Sequence, residues 1–146
     1  MQSKNLKLIG NSIEDLRVIS AHLQDSIVST LDIAHLKKNK IFLIQLNRFM
    51  WEDIEKGVFR KNKRIRTILK FENILKVSSK NISQKNTRFL DFLTLESTEL
   101  PDKSYEINII FSGDSVIKIY CEVIEVTLDD QGDSWESKTK PKHNFL

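Results

Sequence analysis

The sequence predicts an α+β protein that is mainly β: a curled antiparallel meander of about seven strands, barrel-like, with one N-terminal helix packed on it. Three observations carry this. Apolar and polar residues alternate with period two through most of the chain from Ile27 to Leu128. Helical spacing is legible once, from Ile13 to Leu23. Two of the strands change phase partway along, and a phase change bends a sheet. With 146 residues and 40% apolar content there is enough material for one core. Residues 1–128 therefore read as a single domain and 129–146 as an irregular C-terminal tail.

The helix opens at Ser12, a candidate N-cap, with the carboxylate of Asp15 three residues on in the manner of a capping box. Ile13, Leu16, Ile19, Ser20 and Leu23 form its apolar stripe, which ends near Gln24. Arg17, His22 and Gln24 fall largely on other faces. The first strand is expected over Ile27–Ile33, and Leu36–Asn39 reads as a turn. In the next strand, Lys40–Phe49, Phe42, Ile44 and Leu46 share a face opposite Gln45 and Asn47. Ile65–Phe71 alternates again, Asn73 marks a break, and Ile74–Ser79 follows. Phe89–Ser97 comes next, then a turn at Leu100-Pro101-Asp102. Tyr105–Phe111 alternates cleanly and runs through the turn Gly113-Asp114 into a long strand, Val116–Leu128, which makes this hairpin the most secure in the chain.

The phase changes lie in two places. Ile117, Ile119, Cys121 and Val123 give way to Ile124, Val126 and Leu128, and Leu90 and Phe92 give way to Leu93 and Leu95. Each demands a bulge or a crossing from one layer to another. Beyond Leu128 periodicity is absent, and Trp135 suggests one anchoring contact on the body.

Charge supplies the main functional lead. Lys56, Arg60, Lys61, Lys63, Arg64, Arg66 and Lys70 occur in a window without an acid, while the whole chain is only +3, so the remainder is net negative. A local positive field of this kind attracts anionic partners. The competing reading is a solvated loop whose counter-charges come from the acidic run Glu122, Glu125, Asp129, Asp130, Asp133 and Glu136. No secretory signal or membrane-spanning run is legible, which favours a cytoplasmic location and no membrane partner. One cysteine and three histidines make a structural zinc site an unfavourable reading. No cofactor motif is present, and no glycine-rich phosphate loop can be built from four scattered glycines. Cys121 lies in an alternating strand and reads as a buried, inert thiol.

Several stretches together carry a family likeness: Ser20-Ala-His-Leu-Gln-Asp25, Leu46-Asn-Arg-Phe-Met-Trp-Glu52, and Phe71-Glu72 with Ile74-Leu-Lys-Val-Ser-Ser79. To these are added Trp135-Glu136 and Pro141–His143. From about Leu8 to His143 the chain resembles a domain-of-unknown-function family of small bacterial proteins, found in alphaproteobacteria. The Leu-Asn-Arg-Phe-Met-Trp-Glu segment is its most specific part. Arginines at Arg60, Arg64 and Arg66 are similar to those of relatives, though this chain is richer in lysine. The resemblance implies no activity, cofactor or partner.

Two constellations compete for a site. Arg48, Trp51, Arg60, Lys61, Lys63, Arg64 and Arg66 offer an aromatic-plus-cation surface for a partner. Against this stands a packing role, in which Phe49 and Trp51 plug a barrel end while Arg48 pairs with Glu52, Glu122 or Glu125. His22, Asp25 and His35, with Trp51 nearby, offer a pocket for acid–base chemistry or ligand binding. The bland reading there is that His22 and Asp25 cap the helix C-terminus. No nucleophile motif is legible, which leans away from an enzyme. The reading favoured is a small cytoplasmic binding or adaptor module, with a protein partner preferred to nucleic acid because only Phe59 interrupts the basic run. An enzyme or ligand-binding barrel is the alternative. No motif encodes an oligomeric state.

Overall fold

A computed structural model describes residues 5–51, 63–83 and 87–136. In chain order it comprises β1 (Lys7–Gly10), α1 (Ile13–Leu23), β2 (Ile27–Ser29), β3 (Ile33–Leu36), β4 (Ile41–Phe49) and β5 (Lys63–Phe71). There follow β6 (Ile74–Lys80), β7 (Phe89–Glu99), β8 (Tyr105–Phe111), β9 (Val116–Cys121) and β10 (Val126–Glu136). α1 starts where the sequence places it, with the Ser12 hydroxyl accepting the Asp15 N–H at 3.1 Å and Glu14 and Asp15 in the first turn. Leu16, Ile19, Ser20 and Leu23 are its buried stripe.

The strands pair antiparallel in the order β1-β10-β5-β4-β2-β7-β8-β9-β6, with β3 beside β2 on the same edge of β4. There are thus ten strands among the described residues, where the sequence suggested about seven. The extra ones have plain causes. β1 is too short for a legible pattern, and Thr30–Asp32 coils into a 3-10 turn that divides Ile27–Leu36 into β2 and β3. The sheet folds into two layers, β1-β10-β5-β4 with β2 and β3 facing β7-β8-β9-β6. β7 belongs to both, because Phe89–Asp91 pair with β2 and Phe92–Glu99 pair with β8. The expected barrel does not close: the terminal strands β1 and β6 are not partners. α1 packs against β1, β4 and β7.

Both phase changes are realised. At Leu93 a bulge shifts the register between Phe92 and Thr94, leaving Leu93 exposed while Phe92 and Leu95 are buried. At the other, the stretch read as one strand, Val116–Leu128, is two: the chain leaves β9 at Cys121 and enters the opposite layer as β10 at Val126. The β5–β6 corner runs alongside. Glu72 N–H donates to the Glu125 carbonyl at 2.9 Å and Glu122 N–H to the Asn73 carbonyl at 3.2 Å. Asn73 turns the corner at φ 60°, with its side-chain amide donating to Glu125 at 2.8 Å. Two neighbouring strands therefore cross between layers at the same place.

The boundary at Leu128 also needs correction. β10 continues to Glu136 and pairs with β5 as far as Glu136 and Lys63, so 129–136 are strand and only 137–146 lie outside the described residues. The β8–β9 hairpin forms as read, with Gly113 and Asp114 both in the left-handed region at φ 71° and 61°. Ile107, Ile109, Phe111, Ile117 and Ile119 face the core from it, together with Phe42, Ile44, Leu46, Leu69 and Phe71 from the other layer. Cys121 is buried among them, and burial pushes its thiol up to about 11.

Candidate binding face

Alternation along β4 decides where each site residue points. Ile44, Leu46 and Arg48 face the core, and Asn47 and Phe49 face outward. Arg48 is therefore not the surface group that the sequence suggested. Its side chain is 0% exposed and pairs with Asp130, also 0% exposed. The pair is bidentate: Nε donates to Oδ1 at 2.8 Å and an Nη to Oδ2 at 2.7 Å. Asp130 is further satisfied by the Thr67 hydroxyl at 2.6 Å and by the Leu6 N–H at 2.8 Å. Burial alone would raise the Asp130 pKa, but the hydrogen bonds from Arg48 and Thr67, the Arg48 charge and the Leu6 N–H outweigh it and hold the carboxyl below its ordinary value. The counter-ion among the described residues is thus Asp130 and not Glu122 or Glu125, and Glu52 lies outside the described residues. A continued alternation Val126, Leu128, Asp130 was the signal that could have located it.

On the outside of the same layer, cross-strand partners line up in rows. Asn47, Arg66 and Gln131 form one, and Phe49, Arg64 and Trp135 the next. Phe49 is buried although it faces outward, because Trp51 meets it edge-on at 4.7 Å between ring centroids and the Arg64 guanidinium lies 5.9 Å from its ring centre. Trp51 is itself fixed by Nε1, which donates to the Gln24 carbonyl at 2.8 Å. Arg64 donates to the carbonyls of Asp25 and Asn47, each at 3.1 Å. Burial draws the Arg64 pKa below its ordinary value, and the charges of Asp25 and Asp91 oppose that shift; the group stays protonated. These residues hold the end of α1 against β4.

Arg66 and Trp135 remain available. Arg66 is exposed and Trp135 is 40% exposed. Between them the strand bulges, with a register shift from Gln131 to Trp135 and Gly132 at φ 68°, a conformation in which a side chain would be strained. The bulge opens a groove of about 290 Å³ lined by Arg66, Gln131, Gly132, Asp133 and Trp135. Trp135, expected to make one anchoring contact on the body, lies opposite Arg64 of β5 and also flanks this groove. Lys63 is half-buried at the start of β5. Arg60 and Lys61 lie outside the described residues.

His22, Asp25 and His35 do not converge on a pocket with Trp51. His35 pairs with Phe42 at the start of β4, while Trp51 follows Phe49 at its end. Seven strand steps at ~3.3 Å each separate these by about 23 Å. His35 instead lines a cleft between β3 and β6 with Phe42 and Val77, where burial first and the Lys37 charge second lower its pKa. His22 sits in the last turn of α1, and Asp25 follows at φ 63°, the usual left-handed exit from a helix. Among the described residues, no three His, Cys, Asp or Glu side chains cluster as metal ligands, and no helix is long and apolar enough to cross a membrane.

Residues 6–143 match the family described as protein of unknown function DUF2948. The chain belongs to this family. Within the DUF2948 segment fall the whole described sheet from β1 to β10, the Arg48–Asp130 pair and the Arg66–Trp135 face. No curated protein and no solved structure matches the chain.

Proposed function

We propose that this DUF2948 protein is a small, non-enzymatic cytoplasmic binding module of alphaproteobacterial origin, whose partner docks on the outer face of β4, β5 and β10. The observation that carries the reading is an exposed tryptophan beside an exposed arginine over a preformed groove, Trp135 and Arg66, on a face kept rigid by the Phe49–Trp51–Arg64 packing. Aromatic and arginine side chains are the residue types that dominate protein interfaces. Lys63 adds positive charge at the start of β5, and Arg60 and Lys61, which lie outside the described residues, precede it in the sequence. A protein with an acidic patch is the favoured partner.

The test is capture of partners from the native cytoplasm by tagged protein, with and without nuclease, comparing wild type with Arg66→Ala/Trp135→Ala. The expected result is a specific protein partner that survives nuclease and is lost by the double variant. Nuclease-sensitive capture would replace a protein partner by nucleic acid. In that case log K should fall with log salt at about −0.9 per phosphate contact on duplex DNA. Capture unaffected by the double variant would refute this face.

A further inference from the structure

We propose a second interaction site, independent of that face: the free edge of β6 accepts an extended acidic peptide as an added strand. β6 ends the strand order and pairs only with β9 among the described residues. At its start, Ile74 N–H is taken by the Lys40 carbonyl at 2.9 Å, so the free edge runs from Lys76 to Lys80. A terminal strand presents backbone donors and acceptors in a row, and an incoming strand satisfies them while its side chains fall alternately on the two faces.

Both faces of β6 are prepared for such side chains. On the inner side Val77 and Ser79 line a cleft of about 130 Å³ with Ile33, His35, Phe42 and Ile82. This is the open seam between the two layers, where β3 and β6 diverge, and its volume suits a small branched apolar side chain. On the outer side Ser78 and Lys80 line a shallow groove of about 400 Å³ with Asn108 and Lys118. Lys76 lies on the same face two residues before Ser78, opposite Tyr120. Lys118 is already paired with Glu106 at 3.0 Å, which leaves Lys76 and Lys80 as the charges an added strand meets first.

Those two lysines select the partner. A second copy pairing antiparallel through β6 about Ser78 would set Lys76 opposite Lys80 twice, and like charges directly opposite are destabilising. A strand with acids at those two positions reverses each repulsion. The peptide the site fits therefore reads acid, apolar, polar, apolar, acid, with the apolar residues toward the His35 cleft and the acids toward Lys76 and Lys80.

The experiment titrates the isotopically labelled full chain with the capped peptide Ser-Glu-Val-Thr-Val-Glu-Ser, following backbone amide signals at low salt. Expected are shifts at residues 76–80, His35 and Phe42. Binding should weaken about tenfold when both glutamates become lysines, and that preference should invert in the variant Lys76→Glu/Lys80→Glu. N-methylating the central threonine and its neighbouring valine in turn should abolish binding in one case and spare it in the other, since alternate peptide N–H groups face the edge. The proposal is overturned if β6 amides do not move at millimolar peptide or if the lysine variant keeps the original preference. It is also overturned if the signals of β6 shift on concentrating the protein alone, or if shifts fall on Arg66 and Trp135 instead.

Discussion

Removing the Arg48 charge tests the interior polar cluster most directly. In Arg48→Met the side-chain stem is kept, but the Asp130 carboxylate stays behind, buried and without its cation. Breaking one side of a buried ion pair costs about 3–5 kcal/mol, a large part of the roughly 5–15 kcal/mol that stabilises a domain. For a chain of this size each kcal/mol moves the melting temperature by about 3 °C, so a fall of about 10–15 °C is expected. The companion variant Arg48→Met/Asp130→Asn removes the stranded charge; its one amide oxygen keeps the Leu6 N–H contact while its NH2, on the side of the other carboxylate oxygen, turns to donate to the Thr67 hydroxyl, and it should recover more than half of the loss. The pair also makes a prediction about pH. Asp130 has a folded-state pKa below its ordinary value, so its stabilisation is fully present above about pH 4 and is lost as pH falls through the folded-state value. Asp130→Asn should flatten that acid limb. Urea denaturation across pH 2–7 with calorimetry at neutral pH measures both. A loss below ~1 kcal/mol in Arg48→Met, or an unchanged acid limb in Asp130→Asn, would refute the reasoning.

Ile109 is 0% exposed between the layers, so Ile109→Ala should lose about 2–5 kcal/mol in denaturant melts, and a loss under ~1 kcal/mol would place the core elsewhere. Cys121 should react with a disulfide reagent far more slowly in the native protein than in urea, and rapid native labelling would contradict its burial. Because burial raises its pKa to about 11, the stabilisation it contributes is held below the ordinary thiol value and lost as pH climbs toward 11. Cys121→Ala should remove that part of the alkaline destabilisation.

Sequence pattern is most legible where one face is buried and the other wet. The Ser12 cap, the α1 stripe and the Gly113-Asp114 hairpin could be read directly, because cap chemistry and period-two alternation are local. The phase changes at Leu93 and at Glu122–Glu125 also showed that the sheet must bend. They did not distinguish a bulge from a crossing, since that depends on which strand lies alongside: β8 beside Leu93, and the Asn73 corner beside Glu125. Arg48 and Asp130 were opaque for a stronger reason. A charged residue is buried only if its partner is, and the two are 82 positions apart. Read separately, Arg48 looks like a surface cation and Asp130 like one acid in a polar tail. The β10 extension was hidden in the same way, because Asp129-Asp130-Gln131-Gly132-Asp133 has the composition of a loop and becomes strand only through its pairing with β5.

The Leu6–Asp130 clamp joins positions 124 residues apart, and this bears on the order of assembly. In the layer β7-β8-β9 each strand pairs with its sequence neighbour, so that meander closes only short loops. The other layer needs β10 inserted between β1 and β5, one from the chain's beginning and the other from its middle. Long loops close late because their entropy must be lost before any contact is gained. The β8–β9 hairpin is thus placed early and the β1–β10–β5 ribbon last, with the Arg48–Asp130 pair as its final lock. Until that lock forms, β5 has an unprotected edge carrying Ile65, Leu69 and Phe71. The basic side chains of Lys63, Arg64, Arg66 and Lys70 on that same strand are then placed to act as gatekeepers against misassociation during folding.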